Sequence, residues 1–266
     1  MELGELGVWQ TRNRGTAALP AIEDAGYGTF WIGGSPSVEQ CRPYLEATSS
    51  IVIASGILNV WQHEPADVAA QRAQLARDFP GRFLLGIGIG HPEATSDYTR
   101  PLKTMREFFD GLDDVPRDER VAAALGPKML DLAAERSLGT HPYFTTPEHT
   151  RFARERVGPD ALVAPELAVV VETDAERARE DARAYAATYL GLTNYTSNLL
   201  RYGFTEADIA DGGSDRLIDA VIPHGAPETV AAAVRAHLEA GADHVCVQVL
   251  SDAPDDYRAL AEVLVS

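Results

Sequence analysis

Three of the seven histidines, His63, His91 and His141, stand just beyond apolar, strand-like runs. Imidazole titrates near neutrality, so histidines at such places suit proton transfer or contact with a cofactor. They share no short pairing of the His-x-His kind and no evident carboxylate partner. Three histidines can bind zinc, but this spacing argues for no metal. A second feature is Gly126-Pro127-Lys128, a glycine turn with proline at the first helical position and a lysine behind it. Free N–H groups at a helix start attract anions such as phosphate; the same residues also make a plain tight turn with a solvated lysine. A serine hydrolase would place Gly-x-Ser-x-Gly between strand and helix, and Gly33-Gly34-Ser35-Pro36-Ser37 does not supply it.

The stretch that must position His91 is residues 81–93, with the run Phe83-Leu84-Leu85-Gly86-Ile87-Gly88-Ile89-Gly90 at its centre. A short, uniformly apolar run between turn residues reads as a strand buried on both faces of a parallel sheet. Alternation puts Gly86, Gly88 and Gly90 on one face and Phe83, Leu85, Ile87 and Ile89 on the other. A face stripped of side chains admits a close neighbour, either backbone or a flat ligand.

Similar strands are predicted at residues 6–9, 28–32, 51–58, 121–125, 137–141, 167–172 and 244–250. Helices are predicted near 17–25, 38–47, 65–79, 102–112, 128–135, 147–156, 175–190, 227–240 and 257–264. Residues 191–213 read as irregular. Eight strands alternating with helices predict a parallel (β/α)8 TIM barrel in one domain, residues 1–266. In such a barrel the active site lies at the carboxyl ends of the strands. The alternative open sheet would usually carry a phosphate fingerprint near its first strand, and none is present.

Composition narrows the function. The chain has 266 residues, a formal charge of −17 and only two lysines, Lys103 and Lys128. That charge disfavours nucleic acid and anionic membranes as partners and leaves a small-molecule substrate. No apolar run approaches the ~20 residues that span a bilayer. Cys41 and Cys246 lie far apart, and Cys246 sits in an apolar run as a buried thiol would. Cytoplasmic residence is the expectation.

Beyond these readings, several segments resemble the luciferase-like oxidoreductase superfamily. They are Ala54-Ser55-Gly56-Ile57-Leu58, His63-Glu64-Pro65, the helix that follows, and the block from Gly81 to His91. Residues 139–149, Gly-Thr-His-Pro-Tyr-Phe-Thr-Thr-Pro-Glu-His, are similar to a compact actinobacterial-type group in the branch that uses the deazaflavin coenzyme F420. The resemblance implies a luciferase-like (β/α)8 barrel with shortened insertions and a flavin-like ring at the carboxyl ends of the strands. It implies a non-proline cis peptide at Gly56–Ile57 behind that ring, Gly88 and Gly90 beside it, and Gly126, Pro127 and Lys128 at the coenzyme phosphate. His91, His63 or His141 would serve proton transfer, because Gly33-Gly34-Ser35 stands where many relatives have a histidine or acid. Arg12, Arg14, Arg42, Arg100 and Lys103 are candidates for a local counter-patch to the anionic coenzyme. The implied activity is hydride transfer between coenzyme F420 and a small organic substrate. FMN-dependent monooxygenation, and deazaflavin binding without turnover, are the alternatives. Relatives also imply pairing as a homodimer.

Overall fold

The computed structural model describes every residue except Ser96, Asp97, Asp252, Val265 and Ser266. Its sheet is built from β1 (Leu6–Thr11), β2 (Thr29–Gly33), β3 (Val52–Ser55), β4 (Leu58–Asn59), β5 (Phe83–Gly88), β6 (Arg120–Ala122), β7 (Gly139–Thr140), β8 (Leu162–Val163), β9 (Glu166–Val169) and β10 (Val245–Val249). The order is β8-β7-β6-β5-β3-β2-β1-β10-β9, with β4 also on β5, and every pairing is parallel.

Four of these strands are halves of two staves. β3 and β4 are separated only by Gly56 and Ile57, and β8 and β9 only by Ala164 and Pro165. Counted so, the predicted eight staves are present. The second broken stave also closes the ring. On one side the N–H groups of Ala164 and Glu166 donate to the carbonyls of Thr140 and Pro142; on the other, Cys246 N–H donates to Pro165 O. The two ends of the strand order therefore meet in one segment, and the curled sheet is a (β/α)8 barrel.

Alternation sorts the side chains. Phe83, Leu85 and Ile87 of β5 pack outward with helix residues such as Val68, Leu75, Met105 and Phe109. Trp9, Trp31, Ala54, Leu84, Val121 and Cys246 fill the barrel instead. Gly86 and Gly88 share the inward face with Leu84, as the spacing predicts. Tight packing explains several bare positions. A Cβ on Gly86 would lie 1.9 Å from the Ser55 carbonyl oxygen, and one on Gly7 would lie 2.5 Å from His244 Nε2.

Predicted and observed elements differ most at residues 191–213. This stretch holds helices Thr193–Arg201 and Glu206–Ile209, followed by Asp215–Val221. Thr193-Asn194-Tyr195-Thr196-Ser197-Asn198 has weak intrinsic helix preference, so local sequence gives little sign of it. Packing supplies what propensity lacks: Tyr195 and Leu199 join Ala178, Ala182 and Ala186 of helix Ala175–Leu190 in one buried cluster. The fifth and sixth strands are also shorter than expected, ending at Ala122 and Thr140.

Candidate active site

A cavity of about 510 Å³ opens at the carboxyl ends of the staves. Of the residues expected to form a site, Gly56, Ile57, Gly88, Gly90, His91, Gly126 and His141 line it. Pro127 and Lys128 do not, although Pro127 does open helix Pro127–Arg136. His63 is also absent from the lining; it follows the short helix Val60–Gln62 and is half-buried. Among the described residues no three His, Cys, Asp or Glu side chains gather as a metal site would require. Arg12, Arg14, Arg42, Arg100 and Lys103 lie outside the lining, and Arg201 is the cation that belongs to it. Arg42 is engaged by Asp78 and Glu46, and Lys103 by Glu107.

One wall is made by strands. The Gly56–Ile57 peptide is cis, where the resemblance placed it. A Cβ on Gly88 would meet Ile57 Cδ1 at 2.6 Å, so the bare strand accommodates both the bulged backbone at Ser55 and the Ile57 side chain. Trp9 of β1 completes this wall. Its indole covers Gly33, where a Cβ would lie 2.1 Å from the ring, and its Nε1 approaches Gly56. The carboxyl end of β2, empty of any acid or histidine, is thus covered by a tryptophan from the neighbouring strand. The Trp9 N–H is buried and has no hydrogen-bond partner among the described residues.

His141 lies against Trp31, ring centroids 4.1 Å apart and planes 13° from parallel. Its Nδ1 is 2.7 Å from the Ala164 carbonyl oxygen and must donate to it, since a carbonyl only accepts. Nε2 is therefore an acceptor, buried and without a partner among the described residues. Burial drives this imidazole down from 6.5 to about 4, so it is neutral at pH 7. His91 is half-buried; its value is also lowered by burial, against the pull of nearby Glu93.

The facing side is helical. Asn194 donates from Nδ2 to the Gly90 carbonyl and to His91 Nδ1, each at 3.3 Å. Glu93 accepts from the Thr193 backbone N–H at 3.0 Å and its hydroxyl at 2.6 Å. Helix Thr193–Arg201 is thus tied to the loop that carries His91. Tyr143, Tyr189 and Tyr195 line the cavity beside it, and Trp9 packs on Tyr143 at 5.1 Å. The Tyr143 hydroxyl donates to Gln248 Oε1 at 2.9 Å and meets the Tyr185 and Tyr189 hydroxyls at 2.6 and 3.0 Å.

Sequence reading missed Trp9, Tyr189, Asn194, Tyr195 and Arg201. The usable signal was Tyr185 and Tyr189 one turn apart, then Asn194 and Asn198 at the same spacing. With 191–213 read as irregular, that spacing had no helix to belong to.

The profile of the family described as luciferase-like monooxygenase matches residues 10–122 and 107–244. A 5,10-methylenetetrahydromethanopterin reductase of Archaeoglobus fulgidus is 23% identical, across 84% of this chain and 85% of that one. Among solved structures, an F420-dependent secondary alcohol dehydrogenase in complex with an F420-acetone adduct superimposes with TM-score 0.80 at 15% identity, covering 98% of each chain. The coenzyme F420-dependent tetrahydromethanopterin reductase of Methanopyrus kandleri gives 0.77 at 17%, covering 99% of each. The oxygenating constituent of 3,6-diketocamphane monooxygenase from Pseudomonas putida, in complex with FMN, gives 0.66 at 17%, covering 98% of this chain and 96% of that one. With its barrel closed, its cis peptide at Gly56–Ile57 and the family profile spanning most of its length, the chain belongs to the luciferase-like monooxygenase family.

Proposed function

We propose that this protein is an oxidoreductase moving a hydride between the deazaflavin coenzyme F420 and a small organic substrate. The observation that carries the reading is one cavity wall, where a bare donor, Trp9 Nε1, and a bare acceptor, His141 Nε2, accompany the glycines at 56 and 88. Buried polar atoms without partners call for a ligand that supplies them. A flat heterocycle whose edge alternates C=O and N–H does so, and its face would lie against the Ile57 and Trp9 side chains that fill the space over Gly88 and Gly56. The residues present fit such a ring. Gly56, Ile57, Gly88 and Gly90 would hold it, with Gly126, Pro127, Lys128 and Arg201 toward its anionic tail. When bound, the coenzyme supplies two-electron hydride chemistry; the chain orients it, excludes water from one face and manages the proton. His91 and His141 act here as neutral contacts, and His63 takes no part.

The deazaflavin is favoured over FMN because the F420-dependent alcohol dehydrogenase and the F420-dependent reductase superimpose at 0.80 and 0.77, against 0.66 for the FMN complex. FMN-dependent monooxygenation is the second reading, supported by that FMN-bound neighbour. The same proposal takes residues 1–266 as one domain. It places the protein in the cytoplasm, supported by the free buried thiols of Cys41 and Cys246, and pairs it with a second copy. No helix among the described residues is long and apolar enough to cross a membrane.

The test is fluorescence titration with the deazaflavin beside FMN. Micromolar binding of the deazaflavin alone, with hydride exchange to a carbonyl or imine substrate, supports the proposal. Preference for FMN with oxygen uptake moves the protein to the monooxygenase reading. Tight deazaflavin binding with no exchange across a substrate panel makes it a carrier.

A further inference from the structure

A hydride acceptor gains from a hydrogen-bond donor at the atom that gathers negative charge. Among the described residues no aspartate or glutamate lines the cavity, so no carboxyl acid stands there to serve. The Tyr143 hydroxyl is spent on Gln248 and ringed by those of Tyr185 and Tyr189. His141 holds its only N–H against the Ala164 carbonyl. His91 differs, because of the residue behind it.

Asn194 fixes which nitrogen of His91 carries the proton. A carbonyl only accepts, so the Asn194 group 3.3 Å from Gly90 O is its NH2, and the amide has one orientation. The same nitrogen lies 3.3 Å from His91 Nδ1 and 3.5 Å from the Tyr98 hydroxyl. With two hydrogens to share, it serves the two shorter contacts. A proton on Nδ1 would set donor against donor, so Nδ1 accepts and the imidazole proton sits on Nε2. Nε2 has no partner among the described residues, on a side chain that lines the cavity. The neighbours of this pair are anchored too. Glu93 Oε1 accepts from the Thr193 N–H and hydroxyl, and the His91 ring packs on Tyr195 at 4.9 Å. Burial lowers the imidazole from 6.5, against the pull of Glu93, so it is neutral at pH 7.

Resting on the deazaflavin reading, we propose that the substrate is a neutral ketone or aldehyde whose oxygen docks on His91 Nε2–H, and that Asn194 is the positioning residue that holds this tautomer. As hydride from the reduced deazaflavin forms the new C–H bond, the carbonyl π pair moves onto oxygen, where the His91 N–H stabilises it. The alkoxide takes a proton from solvent water, and the proton that the coenzyme sheds on oxidation neutralises the hydroxide left behind. His91 keeps its own proton throughout. In the oxidising direction each transfer reverses. A cationic iminium is disfavoured by the same lining, which among the described residues offers it Arg201 and no carboxylate.

NMR correlation of the histidine ring nitrogens in the unloaded protein reads the tautomer directly. At about pH 8, His91 should carry its proton on Nε2 alone, and in Asn194→Leu the Nδ1–H form should appear beside it. A wild-type ring protonated on Nδ1, or an unchanged tautomer in Asn194→Leu, overturns the positioning role. Single turnovers with reduced deazaflavin and a panel of small ketones, aldehydes and cyclic imines read the donor role. Hydride transfer to a ketone or aldehyde should slow about a hundredfold in His91→Phe and about threefold in Asn194→Leu. In His91→Gln, whose amide N–H donates but is no acid, it should return to within about fivefold of wild type. Deazaflavin affinity should stay within about threefold in all three variants. A wild-type rate in His91→Phe, a His91→Gln no faster than His91→Phe, or exchange with imines and no carbonyl overturns the donor role. Should His91→Phe or Asn194→Leu fail to fold, the wild-type spectrum and the His91→Gln rate still decide. If wild type binds no deazaflavin, or exchanges with none of the panel, the hydride reading fails and the substrate role with it. The NMR spectra then decide the pairing of Asn194 with His91 by themselves.

Discussion

The two sides of the cavity are built on different principles. The strand side, β3 to β5 with Trp9, makes its surface by removing side chains: Gly56, Gly86 and Gly88 are bare because other atoms already lie where a Cβ would go. The helical side, residues 185–201 with Tyr143, makes its surface by adding polar aromatic groups joined hydroxyl to hydroxyl. The first side fixes shape and tolerates no change. The second fixes hydrogen bonding and can lose one partner while keeping others.

Acid gives the largest expected contrast. His141 and His244 in the barrel, and His149 and His237 between helices, are each brought by burial from 6.5 to about 4. Below pH 6.5 the unfolded chain binds protons that these folded sites refuse, so stability falls as pH drops from about 6.5 toward 4. Glu166 has the opposite sign. Its folded carboxyl keeps a proton that the unfolded chain releases above about 4.5, so it withdraws stability as pH rises toward 8. Thermal melts should peak near pH 6.5, with a steep acid arm and a shallow alkaline one. An acid arm no steeper than the alkaline arm would contradict this.

Next is the strand wall itself. Gly86→Ala drives a methyl into the Ser55 carbonyl, which backbone cannot yield cheaply, and should cost about 3 kcal/mol in chemical denaturation. A loss under about 0.5 kcal/mol would mean the bulge is loose. On the helical side, Asn194→Ala removes the donor to Gly90 O and His91 Nδ1 and should cost about 1 kcal/mol. Amide exchange across residues 193–201 should quicken, whereas unchanged exchange would show that Glu93 and Thr193 alone secure the helix. The smallest effect belongs to Gly126→Ala. A Cβ there meets nothing within 4 Å, so melting should move by no more than about 0.5 kcal/mol equivalent.

The same division decides what could be read from sequence. Strand alternation made the bare face of 86 and 88 legible, and the flanking motifs placed Gly56–Ile57 and the barrel. Nothing in the glycine pattern said which neighbour fills each gap, because the Ser55 carbonyl and the Trp9 indole arrive from other strands. His63, His91 and His141 look equivalent by position alone. They separate only through burial and the Ala164 carbonyl. Helix Thr193–Arg201 was hidden because its stability comes from tertiary packing rather than from its own residues. Glu166 drew no notice, since one acid among 40 in a chain of this composition carries no local mark of being buried.

The charge of the cavity lining runs against that of the whole molecule. The chain as a whole carries −17, while among the described residues the lining includes Arg201 and no carboxylate. An anion approaching from solution is repelled over most of its path and attracted only in its last steps. Salt screens the long-range part within about 10 Å at 0.1 M and leaves the short contact nearly intact. For an anionic ligand, capture is therefore slowest in dilute buffer and quickens as salt is added, the reverse of a site steered by its own protein's field.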